Sequence, residues 1–319
     1  MKILKKKCLS YCSFYEIMSR EDLNEKKAVS IIISVHNRYD LIVKNIPKFL
    51  EVLKYKPNNV IEVIVVDDNS SDRSAEIIKK EFSEIRLIRH SVTRGLSSLL
   101  NTGARASRGK FLAIFDIGKV PKKNFLENVF DYFADPEVFS VSLNCDENSS
   151  WNKGSFKDGY ISVSSGEDTG KIHDTFLISM ESSVFRRDYW MKVGGMDEKL
   201  LSPMFWESYD LSYRAMKRGL RNLWNDKVRV TYENGMSEKQ SESLEKINEL
   251  LFHWKNITSV NFFRRHIVGM LRRVIKNPLY VRIIILSLFR LSLTVKARKK
   301  ELREAKISDE AIFAKFKNY

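Results

Sequence analysis

The sequence predicts an α/β fold: a mostly parallel central sheet flanked by helices, with a basic helical region after it. Three observations predict it. Apolar, β-branched runs recur through residues 28–116, the mark of strands buried on both faces. Segments with apolar residues at helical spacing lie between them, so strand and helix alternate as in a doubly wound sheet. From about residue 238 the pattern turns helical and rich in Lys and Arg.

Each element has its own signal. "AVSIIISVHN" (28–37) is the first strand, and "RYDLIVKNIPKFLEVLK" follows with Leu41, Ile42, Ile46, Phe49, Leu50 and Leu53 on one helical face. "VIEVIVVDDNS" (60–70) is the second strand. Ser70, Ser71 or Asp72 then offers an N-cap for the helix in "SDRSAEIIKKEF". "IRLIRH" (85–90) is a third strand, "LSSLLNTGARAS" a helix and "KFLAIFD" (110–116) a fourth strand. Beyond it, "PKKNFLENVFDYFA" (121–134) predicts a helix and "VFSVSLN" (138–144) a strand. The polar, Gly/Ser-rich stretch 146–171 predicts a mobile loop. "FLISMESSVFRRDYW" predicts a strand and a helix, "DLSYRAMKRGL" (210–220) a helix ended by Gly219, and "NLWNDKVRVTYEN" further strand. The expected division is an extension over 1–28, the α/β domain over 29–238 and a helical region over 239–319.

Composition narrows the class. At 43% hydrophobic and 30% charged, the chain is that of a soluble globular protein. Of the formal charge of +15, most comes from Lys255–Lys306, where fourteen basic residues face only Glu301 and Glu304. Such a segment points to an anionic partner surface. Cys8, Cys12 and Cys145 have neither zinc-finger spacing nor a disulfide framework, which favours a reducing cytosol. The basic start "MKILKKKCLSYCSFYEIM" lacks the long apolar stretch of a signal peptide. The run "PLYVRIIILSLFRLSLTV" (278–295) carries Arg282 and Arg290 and is short for a membrane span.

Chemistry concentrates at strand ends. Asp67 and Asp68 end the second strand, where a carboxylate accepts from a ribose hydroxyl or base N–H, or else caps the next helix. Ser34, His36 and Asn37 bring hydroxyl, imidazole and amide to the end of the first strand. Arg94 follows the third, placed to pair with a diphosphate or to stand in solvent. Several enzyme classes are disfavoured: no GxGxxG follows the first strand, and GxxxxGK[ST], HExxH and GxSxG do not occur.

"VSIIISVHNR", "VIVVDDNSSDRS", "TRGLSSLLNTGARASRGKFLAIFDIGKVP", "SMESSVFRRDYWMKVGGMDEKL" and "FWESYDLSYRAMKRG", in this order, resemble a family 2 glycosyltransferase of the GT-A fold. "NELLFHWKNIT" and "ISDEAIFAKF" are similar to C-terminal regions of bacterial cell-envelope members. The resemblance implies transfer of a sugar, with inversion, from a nucleotide-diphosphate donor to a hydroxyl of a glycan or lipid-linked glycan. It implies that Ser34, His36, Asn37, Asp67 and Asp68 hold the nucleoside, with Arg94 near the base or phosphates. Asp116 is the first acid of the DxD-type element, which meets the ribose and helps hold Mn²⁺ or Mg²⁺. Glu207 in "WESYDL", with Asp210 beside it, takes the place of the acceptor's general base.

The chain departs from that pattern at three places. Gly118 stands where the second acid is expected, Ser208 where the base aspartate is, and "TYEN" (231–234) where many members have a metal-facing histidine. Glu233 of that stretch is the candidate to replace the ligand, beside what the resemblance itself implies. Two readings follow: an active transferase, or a lapsed one that still binds a nucleotide sugar or a partner.

The tail "VNFFRRHIVGMLRRVIKNPLYVRIIILSLFRLSLTVKARKK" interleaves aliphatics with Arg264-Arg265 and Arg272-Arg273. At helical spacing it gives an apolar face rimmed by positive charge, suited to an anionic membrane interface over 255–306. A helix packed on the domain with a solvated basic side fits the same pattern. Nucleic acid is not the expected partner, since no nucleic-acid-binding motif is present. The expected location is the cytoplasm, at the inner face of the membrane.

Overall fold

A computed structural model describes residues 27–127, 129–144, 150–167, 170–201, 206–232 and 241–317. Strands β1 (Val29–Val35), β2 (Val60–Asp67), β3 (Arg86–Arg89) and β4 (Phe111–Asp116) pair in parallel, in the order β3-β2-β1-β4. β1 is buried along its whole length, as its unbroken apolar run requires. Helices α1 (Tyr39–Lys54), α2 (Ser74–Glu81) and α3 (Leu96–Ala106) make the crossovers. Ile42, Ile46 and Phe49 of α1 pack on one face of the sheet, and Leu99, Leu100 and Ala104 of α3 on the other.

The sheet continues through β5 (Lys119–Pro121), β6 (Val138–Asn144), β9 (His173–Asp174), β10 (Ser182–Arg186) and β11 (Arg221–Tyr232), giving nine strands. β10 runs antiparallel between β4 and β6, and β11 returns parallel to β6. The helices here are α4 (Arg187–Val193) and α5 (Trp206–Lys217), which ends where Gly219 takes φ 80°.

Two expectations are corrected. Residues 121–134 do not form an α-helix: Phe125, Glu127 and Val129 each donate to the carbonyl three residues back, and only Phe130–Ala134 is helical, as 3-10. Neighbouring segments hold the turns, since Asn58 donates to the Lys123 carbonyl and the Tyr55 hydroxyl donates to Glu127. The segment 146–171 contains a hairpin, β7 (Asn152–Lys157) with β8 (Tyr160–Ser165). Its two-residue turn is Asp158-Gly159, with φ 52° and 89°, the left-handed pair that an Asp-Gly turn accommodates.

Helices α6 (Glu242–Asn256), α7 (Val260–Lys276), α8 (Tyr280–Leu288), α9 (Leu291–Glu304) and α10 (Asp309–Lys317) follow. They share one aromatic core with α5 and the hairpin: Phe252, Phe262 and Phe313 meet Phe176 and Tyr213. His253 and His266 stack inside it, and burial pushes both imidazoles down to about 3, so they stay neutral. Among the described residues no helix is long and apolar enough to cross a membrane.

Asp309 locks this region to the sheet domain. It is wholly buried and accepts from the Tyr213 hydroxyl at 2.7 Å, the Lys217 ammonium at 2.5 Å and the Thr258 and Ser259 amides at 2.8 and 2.6 Å. Burial pulls the Lys217 pKa below its ordinary 10.5, and Asp309 opposes that pull. Asp309→Ala strands the ammonium in the core, so urea titration should show a loss of about 3–5 kcal/mol of stability.

Candidate active site

Parallel strands bring their carboxyl ends to one edge, and the register sets what meets there. Ser34 lies opposite Val66 of β2 and Asp116 of β4, and Val35 lies opposite Asp67. A cleft of about 550 Å³ opens above this edge, lined among others by Ser34, His36, Asp68, Arg94 and Asp116. Five of the expected nucleotide-contacting residues therefore share one cavity. A groove of about 530 Å³ at Trp206, Glu249 and Tyr280 lies off the strand ends.

Successive residues of a strand face opposite ways, and the acid pair at the end of β2 divides accordingly. Asp67 turns away from the cleft, accepting from the Ser70 hydroxyl and amide and pairing with Arg89 at 3.2 Å. Asp68 lines the cleft. Its Oδ1 accepts from the Arg94 amide and His90 Nδ1, both at 2.9 Å, and its Oδ2 from the Gly95 amide at 2.7 Å. A carboxylate has about four acceptor directions, so roughly one is left for a ligand N–H or O–H. Asp68 thus shapes the loop that carries Arg94 while facing the cavity.

Asn37 is not among the residues that line the cleft. It takes φ 52°, and its Oδ1 accepts from the Ser71 and Asp72 amides at 2.8 and 3.3 Å. In return Ser70, Ser74 and Asp72 accept from the Asn37, Arg38 and Tyr39 amides. The run "SSDRS" therefore caps α1, while Asp72 Oδ1 also takes the Ser74 amide at the start of α2. His36 donates from Nδ1 to the Asp68 carbonyl at 3.0 Å, which orients its ring beside the cavity.

Asp116 accepts from the Gly118 amide at 2.8 Å. Burial raises its pKa above the ordinary 3.8, against the lowering by that N–H and by Arg38 and Lys119. Where a second acid is expected, the chain instead turns a backbone donor onto the first. Among the described residues no group of three or more His, Cys, Asp or Glu is placed to hold a metal ion. Glu233 lies outside the described residues. The described donors, a single carboxylate at this strand end, do not fit a divalent cation by themselves.

Glu207 opens α5, and its Oε1 accepts from the Ser97 hydroxyl at 3.4 Å, one residue along α3 from the cleft-lining Leu96. Burial raises its pKa from the ordinary 4.5 to about 7, with Asp210 and Asp197 adding repulsion. Asp210 is wholly buried and already used. Its Oδ2 accepts from Arg214 at 2.7 Å, and its Oδ1 from Asn256 and Lys255, both at 2.8 Å. Burial works to raise its pKa, yet Arg214 and Lys255 hold it below the ordinary value, so this carboxylate is a structural anion.

Two charged residues of the cleft were not anticipated from the sequence, Arg38 and Glu198. Glu198 belongs to "GGMDEKL", where Gly194 and Gly195 take φ 91° and 62°. Asn101 of α3 fixes that turn, donating to the Met196 carbonyl and to Glu198 and accepting from the Met196 amide. The paired glycines marked a turn, but not its approach to the cleft.

The Glycosyl transferase family 2 model matches residues 30–190, half of the chain. The chain belongs to that family. Among curated proteins, it is 33% identical over 110 residues to the probable glycosyltransferase YdaM of Bacillus subtilis, covering 33% of this chain and 26% of YdaM. It is 26% identical over 196 residues to beta-monoglucosyldiacylglycerol synthase of Trichormus variabilis, covering 58% of this chain and 40% of that protein. The chain therefore spans well under half the length of either relative. Among solved structures, GalNAc-T7 with UDP, GalNAc and Mn²⁺ superposes with a TM-score of 0.61 at 16% identity, covering 87% of this chain and 56% of that one. At that identity the likeness concerns the fold, a central sheet of the GT-A type.

In this family 2 domain the Glu207 pKa carries a stability consequence. A carboxyl whose folded pKa exceeds its unfolded value destabilises the fold as it ionises; the loss begins above pH 4.5 and is complete above about 7. Glu207→Gln removes that ionisation. Its Tm should exceed the parent's at pH 8 and match it at pH 4.5, by differential scanning calorimetry at both pH values.

Proposed function

We propose that the protein is an inverting glycosyltransferase that takes a sugar from a nucleotide-diphosphate donor to a hydroxyl of a glycan or lipid-linked glycan. The observation that carries this reading is the convergence of Ser34, His36, Asp68, Arg94 and Asp116 on one cleft at the strand ends. Family membership supports it, as does a GalNAc-T7 structure holding UDP and GalNAc. The match to a beta-monoglucosyldiacylglycerol synthase supports a lipid-linked acceptor at a membrane. A peripheral position on the cytoplasmic side fits such an acceptor.

In this reading Asp68 and Ser34 accept and donate at the nucleoside, and His36 closes one side. The diphosphate lies toward Arg94 and Arg38, with Asp116 at the ribose. The acceptor oxygen attacks the anomeric carbon opposite the diphosphate and forms the new C–O bond, while the bond to the phosphate oxygen breaks. The acceptor proton passes to Glu207, whose pKa near 7 suits a base working at neutral pH. Arg38 and Arg94 meet the charge that develops on the departing diphosphate. Mn²⁺ in GalNAc-T7 supports a divalent cation here too, but a second donor would have to come from Glu233 or another position outside the described residues.

Two measurements test this. Calorimetric titration with UDP should show binding that persists in EDTA, and Arg94→Gln should weaken it about tenfold by removing a charge-assisted contact. Binding seen only with Mn²⁺ would instead call for a metal donor at Glu233 or another position outside the described residues. Donor hydrolysis across UDP-, GDP- and dTDP-sugars should rise with pH through about 7. Glu207→Gln should lower kcat by roughly a hundredfold or more while UDP affinity holds. UDP binding with no turnover on any donor would favour the lapsed, nucleotide-binding reading.

A further inference from the structure

The outward faces of α7–α9 carry most of the large apolar side chains that the described residues leave in solvent. Ile275, Leu279 and Phe289 are about four-fifths exposed, at 80%, 80% and 81%. They stand at the two corners of the chain, between α7 and α8 and between α8 and α9. Val268, Leu271 and Ile275 form one stripe of α7 at helical spacing, while Phe262, His266 and Gly269 on its other side are buried. On α8, Val281, Ile285 and Leu288 are exposed opposite the buried Tyr280, Ile283 and Ser287. The core of this region is already closed beneath them.

Positive charge rims the same faces. Arg264, Arg272, Lys276, Arg282, Lys296 and Lys299 are exposed, and among the described residues none is ion-paired with a carboxylate. The two acids of Lys255–Lys306 are both committed, as Glu301 and Glu304 pair with Arg218. We infer that the α7–α9 face docks on an anionic lipid surface. The corners at Ile275, Leu279 and Phe289 enter the acyl boundary, and the flanking cations meet the headgroups. Charge complementarity selects this occupant. A nucleic acid would satisfy the cations but leave the corner side chains in water. A second copy of the chain would bring like charges together.

Among the described residues no helix is long and apolar enough to cross a membrane, and the α7–α9 face would lie along the bilayer surface. The inference deepens the reading of a lipid-linked acceptor and rests on it for its purpose, but vesicle binding is read without donor or turnover. The full chain should sediment with vesicles of equal parts phosphatidylglycerol and phosphatidylcholine at low salt. Binding to phosphatidylcholine alone should be weaker by about tenfold or more. The double variant Leu279→Ser/Phe289→Ser should lose about tenfold in partitioning to the anionic vesicles. Arg272→Gln/Lys276→Gln/Arg282→Gln should lose a similar factor and most of the salt dependence. Both variants alter exposed side chains, so unchanged Tm and UDP affinity separate lost docking from lost folding or lost donor binding. Three results would overturn the inference: no sedimentation of the parent chain with either vesicle, equal binding to both vesicles, or parent-like binding by both variants. Concentration-dependent dimerisation abolished by Leu279→Ser/Phe289→Ser, without vesicle binding, would assign the face to a second copy instead.

Discussion

The buried anion of Asp210 is the constraint around which the catalytic half of this molecule is arranged. Its two oxygens hold Arg214, Lys255 and Asn256, all of them buried. Arg214 in turn donates to the carbonyls of Val193 and Gly195, and Lys255 reaches Asp197 at 2.6 Å. One carboxylate thus joins α5, α6 and the turn that delivers Glu198 to the cleft. Removing any one partner leaves a charge buried without compensation, which costs more than the pair itself contributes. Glu207, three residues earlier on the same helix, feels the opposite consequence. Burial is the main cause that raises its pKa, Asp210 and Asp197 add repulsion, and among the described residues no cation pairs with it. The network that stabilises α5 therefore also raises the Glu207 pKa toward neutrality.

The strand edge follows a similar economy of donors. Asp68 is held by three N–H groups, and Asp116 by one from Gly118. Both acids are rigid before any ligand arrives, and rigidity of this kind lowers the ordering cost of binding. The glycine at 118 changes the character of the edge. A second carboxylate would add negative charge beside Asp116, whereas the backbone N–H relieves it. Arg38 and Lys119 act on Asp116 in the same sense, and Arg38 and Arg94 are the two cations that line the cleft and could meet a diphosphate.

The C-terminal helices have two faces with different work. Inward, Phe252, Phe262 and Phe313 close an aromatic core against the hairpin and α5, and Asp309 ties its last helix to Lys217. Outward, aliphatic corners and cations remain in solvent. The two readings open for this segment, a helix packed on the domain and an amphipathic surface helix, describe its opposite sides.

The alternation of β-branched runs with helical periodicity was enough to determine strands β1–β4 and their crossovers, whereas β5, β9 and the antiparallel course of β10 were not read from it. It also determined which strand ends carry acids. The Asp158-Gly159 turn was legible too, yet the polarity of its surroundings read as loop. Residues 121–134 show the reverse case, a helical pattern wound into i to i+3 turns by contacts from Asn58 and Tyr55. What the chain alone left undecided was the duty of each acid. Asp67 and Asp68 are neighbours, but pleating sends one to a turn and one to the cleft. Glu207 and Asp210 share a helix, but Arg214 and Lys255 neutralise only the second, to which Asn256 adds a hydrogen bond. Burial and the partners at a carboxylate decide whether its charge is neutralised within the fold and which way its pKa moves. Those are properties of packing, and only the tertiary structure assigned them.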